Sequence, residues 1–282
     1  MKSEPLKKNT DAFSNIDAEF AEDIITHIQR AIAEPLSTMF SSVDLLCSLM
    51  DNDPSSIQEQ CLSEVNAACY RMQHLSQELS LLAKIKCGIL TANRKNEDLI
   101  GLIADYINET EPHLNFLGHA LEWNCAIGHC LVSFDRDLIS HLFMALISYC
   151  VGISPKNGVI RVSVDGDDDF LTLAVVCDQR LDTNALDELR NRIANYDFDT
   201  RSQHSLDTGL IVSSGIAAAH DATMKIDSDN GKTMISVRFK REIGIDRLRS
   251  NPIVYSGSKI SQVLLGLADI LPDSEFSPLK NK

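Results

Sequence analysis

Metal-ligating residue types crowd together at Cys125, His129 and Cys130. A structural zinc site needs four ligands, usually from two such groups that face one another, and no CxxC pair accompanies this one. Ordinary core and surface roles are therefore expected of these three, and no metal ion is implied. The eight cysteines, at positions 47, 61, 69, 87, 125, 130, 150 and 177, are scattered and sit mostly in apolar stretches. That distribution reads as free, buried thiols. Histidine is the other residue type able to do chemistry. His27 flanks a helical apolar stripe and His74 lies between Met72 and Leu75; at such places a partly buried structural imidazole is the ordinary role.

Composition narrows the partners. Forty acidic against 26 basic residues leave a net charge of −14, which disfavours nucleic acid and anionic membranes, since both reward clustered Lys and Arg. No apolar run approaches the ~18 to 20 residues of a membrane span, and the opening MKSEPLKKNTDAF lacks an apolar signal core. A cytoplasmic protein is expected. With 282 residues and 44% hydrophobic content the chain can bury one or two cores, and two domains are expected.

The elements that must position any site come in a clear order. Residues 1–15 are a polar, basic tail. From Ile16 a helical stripe runs through Phe20, Ile24, Ile28, Ile32, Leu36, Phe40, Val43 and Met50, kinked at Pro35 and closed by Asp51-Asn52-Asp53-Pro54. A second helix, Pro54 to about Lys86, carries Ile57, Cys61, Val65, Ala68, Met72, Leu75, Leu79 and Leu82 at alternating steps of four and three. That is a heptad seam about 50 Å long. Two antiparallel helices with one stripe each cannot bury those stripes alone, so residues 16–87 predict a dimeric four-helix bundle; packing on the chain's own C-terminal region is the alternative.

Beyond Gly88 the pattern changes to mixed elements. A helix from Leu99 to Glu109 and two short strand-like pieces around Gly128 lead to Leu131–Val164. There an acidic turn, Asp135 to Asp137, opens a helix with Leu138, Leu142, Ala145, Leu146 and Tyr149 on one face. Ser154-Pro155-Lys156-Asn157-Gly158 breaks it, and an alternating strand follows. Phe170–Cys177 reads as another strand, 183–204 as an irregular stretch with a short helix around Leu186 to Ile193, and Gly209 onward as a helix. Two strands closing on Asp229-Asn230-Gly231-Lys232 form a hairpin. From residue 243 the tail holds one amphipathic helix, Lys259 to Leu271, stopped by Pro272.

This order, from about residue 16 to about 240, resembles the catalytic core of sensor histidine kinases: a dimerisation and phosphotransfer hairpin, then a Bergerat-type ATPase domain. The resemblance implies an α+β fold with helices on one face of a mixed sheet, residues 88–242 forming the ATPase-like domain. It also implies where chemistry would sit. The family's phosphorylated histidine lies five residues before the kinking proline, and Arg30 stands there, with Ala31 in the acidic position after it. A guanidinium stays protonated and offers no nucleophilic lone pair. His27, one turn earlier, is the displaced alternative acceptor. Aligned on Ser154-Pro155, the two asparagine positions hold Ala145 and Tyr149, so the magnesium ligand is replaced by a ring.

In the Asp-x-Gly-x-Gly motif Asp178 matches the adenine-binding aspartate, whereas Arg180 and Asp182 replace the glycines. Of the glycine-rich phosphate cradle Gly209 remains, with Asp207 where phosphate would lie. The implied cofactor, ATP with magnesium, would thus be held by Asp178 and Gly209 if the pocket works. The expectation is a catalytically degenerate, dimeric two-component signalling module whose partner is a receiver domain or another kinase. An active kinase or phosphotransferase, and a purely structural dimer, are the alternatives.

Overall fold

The computed structural model describes residues 32, 36–43, 45–46, 56–167, 169–196, 205–241 and 260–278. His27, Arg30 and Pro35, and so the phosphoacceptor expectation, lie outside the described residues.

The hairpin is present. Helix α1, Ser56–Lys86, runs for 31 residues, and the helical residues 36–43 pack along it. Leu36 and Val43 are buried, and Phe40 meets Tyr70 edge to face at 5.1 Å. Here the single-stripe expectation is corrected, because α1 has two apolar faces. Ile57, Val65, Met72, Leu75 and Leu79 of the heptad seam are exposed in the chain, and only its last member, Leu82, is buried. The buried face is a different one, built from Leu62, Asn66, Ala67, Cys69, Tyr70, His74 and Glu78.

A two-stranded antiparallel ladder follows, β1 (Lys95–Asp98) with β3 (Leu131–Phe134). Between them lie helix α2 (Leu99–Phe116) and β2 (Ala120–Cys125). The Asp98 carboxylate caps α2 by accepting from Ile100 N. The helix continues through Pro112 past the expected end at Glu109, because Leu114 is fully buried in the core. It closes at Gly118, whose φ of 82° allows the reversal in which His119 N donates to Leu114 O.

Helix α3, Arg136–Ile153, is the core helix. The Asp135 carboxylate accepts from Asp137 N and Leu138 N at its start, and the Ser154-Pro155 break ends it. By length and composition it could cross a membrane, with a mean hydropathy of 1.3, yet 67% of it is buried inside the fold. The remaining strands are β4 (Val159–Gly166), β5 (Phe170–Cys177), β6 (Thr223–Asp229) and β7 (Lys232–Lys240). With β2 they make a five-stranded sheet ordered β2-β4-β5-β7-β6, parallel at β2–β4 and antiparallel elsewhere. Asn230 and Gly231 form the two-residue β6–β7 turn, both at positive φ as its geometry demands.

Ile160, Val162, Leu171, Leu173, Val175, Ile235 and Val237 point to one face of the sheet, where α2, α3 and α5 (Ser205–Ala219) bury them. Helix α4, Thr183–Ala194, is capped by Asp182 and packs against α5. The architecture is therefore an α+β fold: a helical hairpin joined to an ATPase-like layer of helices on a mixed sheet.

The C-terminal segment departs from expectation. Instead of one helix from Lys259 to Leu271, α6 spans only Gln262–Gly266, and the chain then turns repeatedly before a 3₁₀ turn at Asp273–Phe276. The bending lets Leu267, Ala268, Leu271 and Phe276 all enter one core. The carbonyls it frees at Ala268 and Leu271 accept from Arg71 of α1.

Candidate functional site

The nucleotide-box residues come from three elements that converge on the helical layer: Ala145 and Tyr149 on α3, Asp178 just after β5, and Gly209 on α5. Strand alternation decides what Asp178 does. Cys177 points inward and is fully buried, so Asp178 turns outward. Its carboxylate accepts from Arg161 Nη1 at 2.7 Å and from Val159 N at 3.4 Å, and the guanidinium also reaches Glu122 at 3.0 Å. The bond from Arg161 is the main reason that Asp178 ionises below the usual carboxylate range. Asp178 thus pins the start of β4 rather than standing beside α3.

Gly209 stands within α5 in regular helix, its carbonyl accepting from Ser213 Oγ at 2.7 Å. A Cβ placed on it would lie 3.2 Å from Ala145 Cβ and 3.2 Å from Glu78 Oε1. The residue serves close packing of α5 against α3 and α1. Gly215 does the same on a neighbouring face, where a Cβ would run into Ile85 of α1, and Gly152 of α3 accommodates Leu206.

Side chains fill the space between these elements. Tyr149 is 4% exposed, and its hydroxyl titrates above its ordinary range, first through burial and then through Asp207. Asp207, at the phosphate position, is paired with Arg192 Nη1 of α4 at 2.5 Å, both side chains about 85% buried. Cys150 and Cys177 are free, fully buried thiols of the same core. Arg180 is exposed, and Asp182 is committed to capping α4 through Ala185 N at 2.8 Å. The positions aligned with the family's nucleotide boxes thus carry a ring at Tyr149 and an ion pair at Asp207, with the Glu78 carboxyl beside Gly209.

The suggested metal-ligating trio is dispersed. His129 is largely exposed and pairs with Asp98 at 2.7 Å, the Cys125 thiol donates to Ile127 O, and Cys130 is buried. Among the described residues no group of three His, Cys, Asp or Glu side chains is placed to hold a metal ion. His74, expected as a structural imidazole, is buried on the inner face of α1 against Glu78. Glu78 and Arg192 were not legible as site residues. The available signal was the pair His74 and Glu78 at i, i+4 on a helix face that the heptad seam does not use.

No family model and no curated protein matches the sequence. The fold is similar to that of the Acinetobacter baumannii histidine kinase AdeS, at 15% identity and a TM-score of 0.50 over 77% of this chain and 98% of that one. It is also similar to full-length ShkA in complex with AMPPNP, at 11% identity and a TM-score of 0.61, over 77% of this chain but 45% of ShkA. The likeness is one of fold: a histidine-kinase type of helical hairpin and ATPase-like domain.

Proposed function

We propose that this protein is a histidine-kinase-like signalling module, catalytically degenerate, that dimerises through its hairpin and acts in the cytoplasm by binding a receiver domain or another kinase. The observation that carries this reading is the occupied nucleotide face. Tyr149 and Asp207, the latter paired with Arg192, stand at the positions aligned with the magnesium ligand and the phosphate cradle, Glu78 lies against Gly209, and Asp178 is engaged with Arg161. Emptying such a site would break a buried ion pair and expose a buried ring, each costing on the order of several kcal/mol before any ligand contact is gained. The row of exposed apolar residues on α1 supports the dimer, since a stripe of this length at heptad spacing is ordinarily covered by a partner helix.

The test is calorimetry with magnesium-ATP, followed by titration with isolated receiver domains. The expected result is no heat at about 1 mM nucleotide and saturable receiver binding. A micromolar dissociation constant for ATP, abolished by Asp178→Ala, would overturn the degenerate reading. Label from ATP that appears on the chain and is lost in His27→Ala would instead establish a phosphotransferase.

A further inference from the structure

The inner face of α1 carries a group of titratable side chains that the nucleotide boxes do not explain. His74 Nε2 lies 3.6 Å from Glu78 Oε1 and 3.7 Å from Asp269 Oδ2, between two carboxyl groups. The ring of His141, from α3, stacks on His74 at 6.1 Å, and its buried Nε2 has no hydrogen-bond partner among the described residues. Three separate regions of the chain meet here: the hairpin, the core helix and residues 260–278. Glu78 is 3% exposed and has no Lys or Arg paired with it among the described residues, whereas Asp269 lies at the rim, its side chain 23% exposed.

Residues 260–278 are strapped to α1 by individual polar contacts along its length. Arg71 donates to Ala268 O and pairs with Asp273 at 2.6 Å, Asn66 donates to Phe276 O at 2.8 Å, and Ser261 N donates to the Tyr70 hydroxyl. Ser277 donates to Glu59, and His113 of α2 meets Glu275 at 2.9 Å. A loss of the catch at Asp269 therefore loosens a segment on which the inner face of α1 depends for cover.

We propose that this strap is a proton-controlled latch: with Glu78 protonated it holds α1 closed over Ala145 and Gly209, and with Glu78 ionised beside Asp269 it lets go. Mutual repulsion of two carboxylates around a neutral imidazole, one of them deep in the fold, drives the opening. The titratable groups around Glu78 are His74 on its own helix, Asp269 on the strap and, stacked on the far side of His74, His141 on α3. Helix α5 presents Gly209, and its charge at Asp207 is committed to Arg192. The latch works without a receiver domain bound.

The direction follows from linkage. Burial first, and Asp269 second, push Glu78 up to about 8 from an ordinary 4.5. The closed form thus holds a proton that the open form releases across that interval, and closure weakens as pH rises through it. Burial pulls His74 and His141 down from 6.5, so an open form takes up protons below about 6.5 and opposes the Glu78 effect there. Between about pH 6.5 and 8 Glu78 acts alone, and the opening constant rises roughly tenfold per pH unit, then levels off.

Hydrogen exchange on the full chain, corrected for intrinsic rates, reads this directly at residues 66–82 and 262–276. The expected result is a roughly 15-fold loss of protection from pH 6.5 to 8 in the parent and a flat profile in Glu78→Gln. Asp269→Asn removes the opposing charge and should end the rise at lower pH. A parent profile that is flat over this window, or the same rise in Glu78→Gln or an unshifted rise in Asp269→Asn, would overturn the latch.

Discussion

The two faces of α1 are encoded in opposite ways. The outward face repeats one kind of residue at heptad spacing, with Ile57 72% and Leu75 54% exposed. The inward face is a set of individuals: Asn66 for a carbonyl of Phe276, Tyr70 between two rings, Glu78 against a glycine. A repeating stripe suits an identical partner, because any register that matches apolar to apolar is favourable until the ends align. A face of specific polar contacts suits one partner in one position, since each misplaced donor or acceptor would be left buried without a bond. If the proposed dimer forms, one helix divides intermolecular and intramolecular contacts between repetition and singularity.

Breaking the inward face should have the largest effect. Tyr70→Ala removes a buried ring packed between Phe40 and Phe276, and is expected to cost about 3 to 5 kcal/mol in urea unfolding. The comparison fails if Leu75→Ala, at a concentration where the chain is monomeric, costs as much; the expectation there is within about 0.5 kcal/mol.

The outward face should break differently. Paired charges in Met72→Asp with Leu75→Asp are expected to weaken self-association by about 100-fold while leaving the circular dichroism spectrum intact. Light scattering at micromolar concentration should then fall from about twice 31.2 kDa to the monomer mass. A parent that stays monomeric when concentrated would remove the dimer altogether.

Two smaller substitutions sharpen the contrast where α1 meets the ATPase-like layer. Gly209→Ala must push on Ala145 and Glu78, and an expected loss of about 1 to 3 kcal/mol by thermal unfolding would measure how tightly α5 is seated. Arg161→Ala, on the open side of the sheet, removes partly exposed ion pairs to Asp178 and Glu122 and should cost below about 1 kcal/mol. A larger loss at Arg161 than at Gly209 would mean that the pocket's outer rim, not its filled interior, carries the stability.

Much of the layer architecture was legible because its signals are local. The cap at Asp135, the break at Ser154-Pro155 and the Asn230-Gly231 turn each act within a few residues. What escaped depends on distant partners. Strand β1, with the polar sequence Lys95–Asp98, has no apolar alternation and exists because β3 pairs with it. The apolar spacing from Ile260 to Leu271 suits a continuous helix; the broken path is favoured by distant partners, the core that takes in Leu267, Leu271 and Phe276 and the Arg71 side chain that meets the carbonyls of Ala268 and Leu271. At the site, alignment on a motif located Ala145, Tyr149 and Gly209, but nothing local to Gly209 announces that a carboxyl group from α1 lies beside it.

The strap also sets a timetable. Asn66 and Phe276 are 210 positions apart, so α1 leaves the ribosome long before the residues that cover its inner face have been made. At ordinary elongation speeds that interval is about 10 to 40 s. Throughout it, the parts of Asn66, Tyr70 and Arg71 that the strap engages stand uncovered on a helix whose other side is also apolar. A nascent chain in this condition gains by pairing the outward stripe early, or by engaging a chaperone, until residues 260–278 arrive to close the inner face.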